Sequence, residues 1–150
     1  MIALDSNILV YAAGQADPHG RNEAARSLLD AIAPLPTIVL LQVLGEFLNV
    51  CRAKKIVALG AGVGLVRIWL ERYDCPPTRP DDLSAAADIS TRHALQFFDA
   101  LILTVARRVG ATILLSEDMQ DGSEIDGVRI VNPFLAANRT LLTDTAAFAR

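Results

Sequence analysis

The chain has 150 residues, 52% of them hydrophobic, with a mean hydropathy of +0.35 and a net charge of −3. That is enough apolar material for one compact domain with a full core, and it excludes the low-hydrophobicity class of disordered chains. The negative charge argues against holding nucleic acid by charge alone, because affinity for a phosphate backbone comes mainly from Lys and Arg; acids that converge on divalent cations would invert the local field, so the class stays open.

Cys51 and Cys75 have no metal-ligand spacing, and the N-terminus lacks an early Lys or Arg and is interrupted by Asp5, so no secretory leader is expected. These features predict a reducing, cytoplasmic setting in which the cysteines are packing residues. The most apolar long stretch, residues 37–50, is broken by Gln42, Gly45, Glu46 and Asn49, so no membrane span is expected.

The first run, Ile2-Ala3-Leu4, reads as a buried strand ending on Asp5, followed by Ser6 and Asn7. In open parallel α/β sheets ligands bind outside the carboxyl ends of the strands, so an acid there faces the functional edge. Asp is equally a favoured N-cap, and Asp5 could simply cap the apolar run from Ile8 to Tyr11. The breaker cluster at 14–18 supplies Asp17 as an N-cap and Pro18 as a first-turn residue, so a helix is expected to start near Pro18. Ala25, Leu28, Leu29 and Ile32 recur at helical spacing, and Pro34 and Pro36 end the pattern.

A second strand is expected at 38–40 and a helix over 43–53, with Glu46 on the border of an apolar stripe. If the first two strands are parallel neighbours, Glu46 lies near Asp5; a solvated surface Glu is the alternative. Gly60, Gly62 and Gly64 resemble a phosphate loop, but no strand precedes them and no Lys-Ser or Lys-Thr follows, so a nucleotide site is rejected. A helix carrying Trp69 as a packing anchor is expected after the glycines. Another, over 83–94, is expected to be capped by Asp81 or Asp82.

Asp99 opens a helix expected to run to about 108 and stop at Gly110. Phe97 and Phe98 ahead of it are expected to wall in the carboxylate, and the helix N-terminus to lower its pKa. A strand at 112–115 then meets Ser116, Glu117, Asp118 and Asp121, and a last strand at 128–131 is closed by Asn132-Pro133-Phe134. Beyond Phe134 only a short, partly helical tail is expected.

These stretches, DSNILVYA, QVLGEFLNV, FFDALIL, LLSEDMQDG and VNPF, occur in the order found in the PIN-domain ribonucleases, and within them the chain most resembles the VapC toxins of toxin–antitoxin pairs. The resemblance spans nearly the whole chain. It implies a three-layer α/β/α sandwich with a central parallel sheet, as a nuclease domain over 1–134 with a C-terminal tail over 135–150. It also implies endoribonuclease activity, a carboxylate cluster binding Mg²⁺ or Mn²⁺, a cognate antitoxin, and pairing as a homodimer. Carried over by position, the catalytic and metal-binding acids are Asp5, Glu46, Asp99 and Asp118, with Asp121 in reserve and Ser6, Asn7 and Ser116 as supporting groups.

Phosphodiester hydrolysis needs an activated water and stabilisation of charge on the phosphate and leaving oxygen, which divalent ions provide. Hard cations take oxygen ligands, and His19 and His93 have neither zinc spacing nor a neighbouring nucleophile. RNA is expected to be held at the rim by residues among Arg52, Lys54, Lys55, Arg79 and Arg92. Two rivals are a noncatalytic PIN-like binding module and a receiver-like phosphoacceptor. The latter needs a Lys after a late strand, whereas the only lysines are Lys54 and Lys55.

Overall fold

The computed structural model describes residues 1–14 and 18–142, so the expected N-cap Asp17 lies outside the described residues. In order, these form β1 (Ile2–Leu4), α1 (Ser6–Ala13), α2 (Arg21–Ile32), β2 (Thr37–Val39), α3 (Leu41–Lys54), α4 (Leu59–Arg72), α5 (Pro80–His93), α6 (Phe97–Arg108), β3 (Ile113–Leu115), β4 (Glu124–Ile125), β5 (Val128–Val131) and a 3₁₀ helix (Ala136–Leu142). The strands are short apolar runs because helices cover both faces of the sheet, giving three α/β/α layers.

The five-stranded sheet has the order β2-β1-β3-β5-β4. β1 pairs in parallel with both β2 and β3, and β3 in parallel with β5. The connection from β1 leaves toward β2 and that from β3 toward β5, so the chain reverses direction between β1 and β3, and a crevice opens at their carboxyl ends. Asp5 and Ser116 stand there, immediately after β1 and β3.

The expected parallel sheet is corrected at one margin. β4 runs antiparallel to β5 through a two-residue turn, Asp126-Gly127, with φ of +50° and +84°. Two positive φ values make a type I′ turn, the geometry Asp-Gly favours. At the other margin, the chain after α4 runs beside β2: the Val39 N–H donates to the Asp74 carbonyl at 3.1 Å and the Leu41 N–H to that of Pro76 at 3.2 Å.

Other boundaries differ from expectation for local reasons. α2 begins at Arg21 rather than near Pro18, after Gly20 in the left-handed region. α4 runs through all three glycines rather than starting after them, with Gly62 buried against Leu48 and Val57. Trp69 is buried edge-to-face on Phe47 at 4.8 Å and ties α4 to α3. α5 starts at Pro80, so Asp82 is its third residue and accepts the Arg79 backbone N–H at 2.7 Å. Among the described residues no helix is long and apolar enough to cross a membrane.

Candidate metal centre

Asp5 both caps a helix and faces the sheet's functional edge. One carboxylate oxygen accepts the Ser6 N–H at 2.6 Å, while the other accepts the Ser116 hydroxyl at 2.6 Å and the Asn7 amide at 3.2 Å. Asp5 is 4% exposed, and its pKa is pushed up to about 6. Burial is the main cause; the bonds from Ser116 and Ser6 oppose it, and the charges of Glu46 and Asp118 add to it. A buried carboxylate ringed by hydroxyl, amide and like charges is held in one orientation with too little positive charge nearby.

Glu46 lies on the exposed side of α3, as its sixth residue, and the parallel β1–β2 pairing brings it close enough to raise Asp5. Asp99 is the third residue of α6 and half-buried. Two expectations for it are corrected. Its pKa is raised rather than lowered, because burial first, then Asp118 and Glu46, outweigh the helix N-terminus. Phe97 and Phe98 do not wall it in: they are 39% and 68% exposed and pack on each other edge-to-face at 5.6 Å.

The loop after β3 separates its three acids. The Asp118 carboxylate accepts the Asn7 amide at 3.2 Å, so one side chain joins it to Asp5, and its backbone N–H donates to the Ser116 hydroxyl at 3.2 Å. Glu117 turns the other way, paired with Arg21 at 2.6 Å and accepting the Tyr11 hydroxyl. Asp121 accepts the Asn132 N–H at 2.7 Å and the Asn138 amide at 2.9 Å, which ties the loop to β5 and the 3₁₀ helix. Of the three, Asp118 is the one that faces Asp5 and Asp99.

A cavity of about 680 Å³ at this edge is lined by Ser6, Asn7, Glu46, Asp118, Lys54 and Lys55, among others. Of the expected basic rim, Lys54 and Lys55 are thus in place. Arg92 is not, since it pairs with Asp126 at 3.2 Å at the opposite end of the sheet. Arg21 and Tyr11 also line the cavity and were not singled out from sequence. Tyr11 stands one helical turn after Asn7, a same-face spacing that could have revealed it. Arg21 carries no such signal. Burial, then Glu117, push the Tyr11 hydroxyl up to about 12, so it stays protonated as a donor.

The donor set suits a hard divalent cation. Asp5, Glu46, Asp99 and Asp118 offer carboxylate oxygens, and the Asn7 amide oxygen is buried with no hydrogen-bond partner among the described residues. Among those residues no three acidic, imidazole or thiol side chains already stand in a metal-holding arrangement. That is compatible with Mg²⁺, which keeps several waters and uses only one or two carboxylates directly.

The sequence profile of the PIN domain matches residues 2–121. Ribonuclease VapC7 of Mycobacterium tuberculosis is 30% identical over 148 residues, covering 96% of this chain and 99% of that protein. Among solved structures, VapC20 of Mycobacterium tuberculosis, described as a sarcin–ricin loop cleaving toxin, superposes with a TM-score of 0.66 at 22% identity, covering 79% of this chain and 92% of its own. A toxin–antitoxin complex from Klebsiella pneumoniae gives 0.65 at 19% identity, covering 89% and 98%. VapBC2 from Rickettsia felis, bound to a promoter DNA fragment, gives 0.63 at 18% identity, covering 87% and 97%. At these identities the structural matches speak for the fold.

Proposed function

The chain belongs to the PIN-domain family, and from that premise we propose that it is an Mg²⁺- or Mn²⁺-dependent endoribonuclease acting in the cytoplasm as the toxin of a toxin–antitoxin pair. The observation that carries the chemistry is the meeting of Asp5, Glu46, Asp99 and Asp118 at one sheet edge, where the other acids push Asp5 and Asp99 further toward protonation with no cation paired to either among the described residues. One or two of those carboxylates would hold the metal directly and the others through its waters. When bound, it supplies a water made nucleophilic near neutral pH and charge neutralisation at the phosphate.

The chain's own residues then have separate tasks. Ser6, Asn7 and Ser116 fix the Asp5 carboxylate, and Asn7 sets Asp118 relative to it. Lys54 and Lys55 stand at the mouth of the same cavity, where ammonium groups would hold an RNA phosphate beside the acids. Likeness to toxin–antitoxin complexes supports a cognate antitoxin as partner. An Arg brought by such a partner would be strongly held among these carboxylates. Exposed Leu59, Ile68, Leu70 and Leu83 on α4 and α5 support a homodimer, which sedimentation at micromolar concentration tests.

One observation favours a noncatalytic PIN-like module: the acids are not yet in a metal-holding arrangement. Calorimetric Mn²⁺ titration separates the readings. The enzyme binds Mn²⁺ at a site that Asp5→Asn weakens and cuts total RNA at positions revealed by end mapping; a parent that does neither is the module. Production of the parent alone arrests growth, and either Asp99→Asn or co-production of the antitoxin relieves the arrest. Harmless overproduction of a protein that cuts RNA would overturn the toxin role and leave the nuclease standing.

A further inference from the structure

We propose that the cavity between α3 and the start of α6 is a nucleobase subsite, in which the base of a nucleotide flanking the scissile phosphate lies on the ring of Phe98. The cavity, of about 500 Å³, is lined by Gln42, Gly45, Glu46, Asn49, Thr78, Phe98 and Leu101. This rests on the nuclease reading and names how its RNA is gripped.

Three observations converge. Phe98 is 68% exposed although it directly precedes Asp99, so its ring contributes little to the core, and it lines one cavity with Glu46. It is also preorganised, braced edge-to-face by Phe97 at 5.6 Å, and its carbonyl accepts the Gln42 amide at 3.2 Å. Aromatic rings presented in this way are the usual platforms for unpaired bases.

The floor of the cavity is Gly45, in the middle of α3, where glycine weakens a helix. A Cβ built there meets nothing within 4 Å, so close packing does not explain the glycine. The bare floor leaves room for a flat ring.

Apart from Leu101, the remaining walls are polar. Gln42 is steadied by Thr78, whose hydroxyl donates to its amide oxygen at 3.4 Å, and Asn49 adds a further amide. An apolar protein surface would leave the Asn49 amide and the second Gln42 N–H unpaired, whereas a base edge supplies both donors and acceptors. Glu46 belongs both to this wall and to the carboxylate group, so a base seated here has its own backbone at the metal edge.

The test uses oligoribonucleotides that carry the mapped cleavage site and, in a second series, one abasic riboside stepped through the flanking positions. In the parent, one abasic position lowers kcat/KM on the order of 10- to 100-fold, the range for loss of one base–aromatic stack. Phe98→Ala lowers it similarly on intact RNA, chiefly through KM, and loses nothing more on that abasic RNA, because each change deletes the same contact. Phe98→Trp restores cleavage. Gly45→Leu mimics Phe98→Ala without lowering Tm, since Leu favours the helix while filling the floor. Mn²⁺ affinity in Phe98→Ala equals the parent's.

Additive losses, or identical cleavage of intact RNA by parent and Phe98→Ala, overturn the subsite alone. So does a change in sedimentation with unchanged RNA kinetics, which would assign this face to a second copy of the chain. A parent that cuts no RNA overturns the nuclease reading and the subsite together.

Discussion

Asp5 and Asp82 are the two buried aspartates among the described residues, 4% and 3% exposed, yet their carboxyl groups are driven in opposite directions. Burial opposes the charged form of both. At Asp82 it is overcome by the Arg108 guanidinium at 2.8 Å and the Arg79 backbone N–H at 2.7 Å, and the pKa falls below the usual carboxylate range. At Asp5 the partners are neutral donors and the nearby charges are Glu46 and Asp118, so the pKa rises to about 6. One acid closes a structural clamp between α5 and α6; the other is held ready for a cation that the chain does not itself provide. The sheet's far end has another acid held by arginines, Asp126, with Arg92 at 3.2 Å and Arg107 at 3.1 Å.

The sharpest way to break this contrast is to neutralise each aspartate in turn. Asp5→Asn lowers RNA cleavage by on the order of 10³-fold or more, since a metal centre supplies several kcal/mol of transition-state stabilisation. It leaves metal-free Tm at pH 7 equal to the parent's or higher. The Asn7 amide can rotate to accept the new N–H with its otherwise unpartnered oxygen, giving up its bond to Asp118. A large fall in Tm would mean that Asp5 is a clamp after all.

Asp82→Ala should do the reverse. It strands Arg108 and removes the bond to the Arg79 N–H, lowering stability by about 3 kcal/mol in urea unfolding, the low end for a broken buried pair because Arg108 is partly exposed. Mn²⁺ affinity is unchanged. Loss of metal binding in the folded variant would erase the distinction between the two sites.

The pH dependence of metal-free unfolding sharpens the comparison further. Asp5 goes from 3.8 unfolded to about 6 folded, so between those values the native state binds more protons than the unfolded state. Stability therefore falls as pH rises through that window and levels off above about 6, by about 3 kcal/mol in all. Asp82 has the opposite sign: its contribution is present above the unfolded value and is lost as pH falls through its lower folded value. Asp5→Asn should reduce the first slope to the share that Asp99, also raised, contributes and keep the second, and Mn²⁺ should flatten the first in the parent.

The smallest expected effect concerns the loop after β3. Glu117→Gln weakens its contacts with Arg21 and Tyr11 and lowers stability by about 1 kcal/mol or less, as Arg21 is partly exposed. It leaves Mn²⁺ affinity unchanged, whereas Asp118→Asn weakens it. The reverse ranking would move the fourth acid from Asp118 to Glu117.

The positions of β1, β2, β3 and β5 were legible because each is a short apolar run, those of β1 and β3 ending abruptly on Asp5 and on Ser116-Glu117-Asp118, and helical spacing marks the face of α2. Asp126-Gly127 between apolar residues was a hairpin signal present in the sequence but left unread, and with it β4. The pairing of Arg21 with Glu117 was not legible, since it joins the start of α2 to the loop after β3 and no local pattern encodes it. The outward turn of Phe97 and Phe98 was equally hidden: sequence places them at the start of a helix but cannot say which way that helix end faces. The sign of the Asp99 shift depended on Asp118 and Glu46, which only the folded chain brings near it.

The two margins of the sheet bear on what happens to this chain at high concentration. At β2 the backbone at Asp74 and Pro76 has already taken N–H groups that a foreign strand would seek. At the other margin β4 is only two residues long, and Glu124 in it is exposed. Neither side offers a long, flat ladder for another strand to extend, so growth into fibres by edge-to-edge addition is disfavoured despite the apolar composition. Material lost on prolonged storage should therefore be amorphous and negative for thioflavin binding.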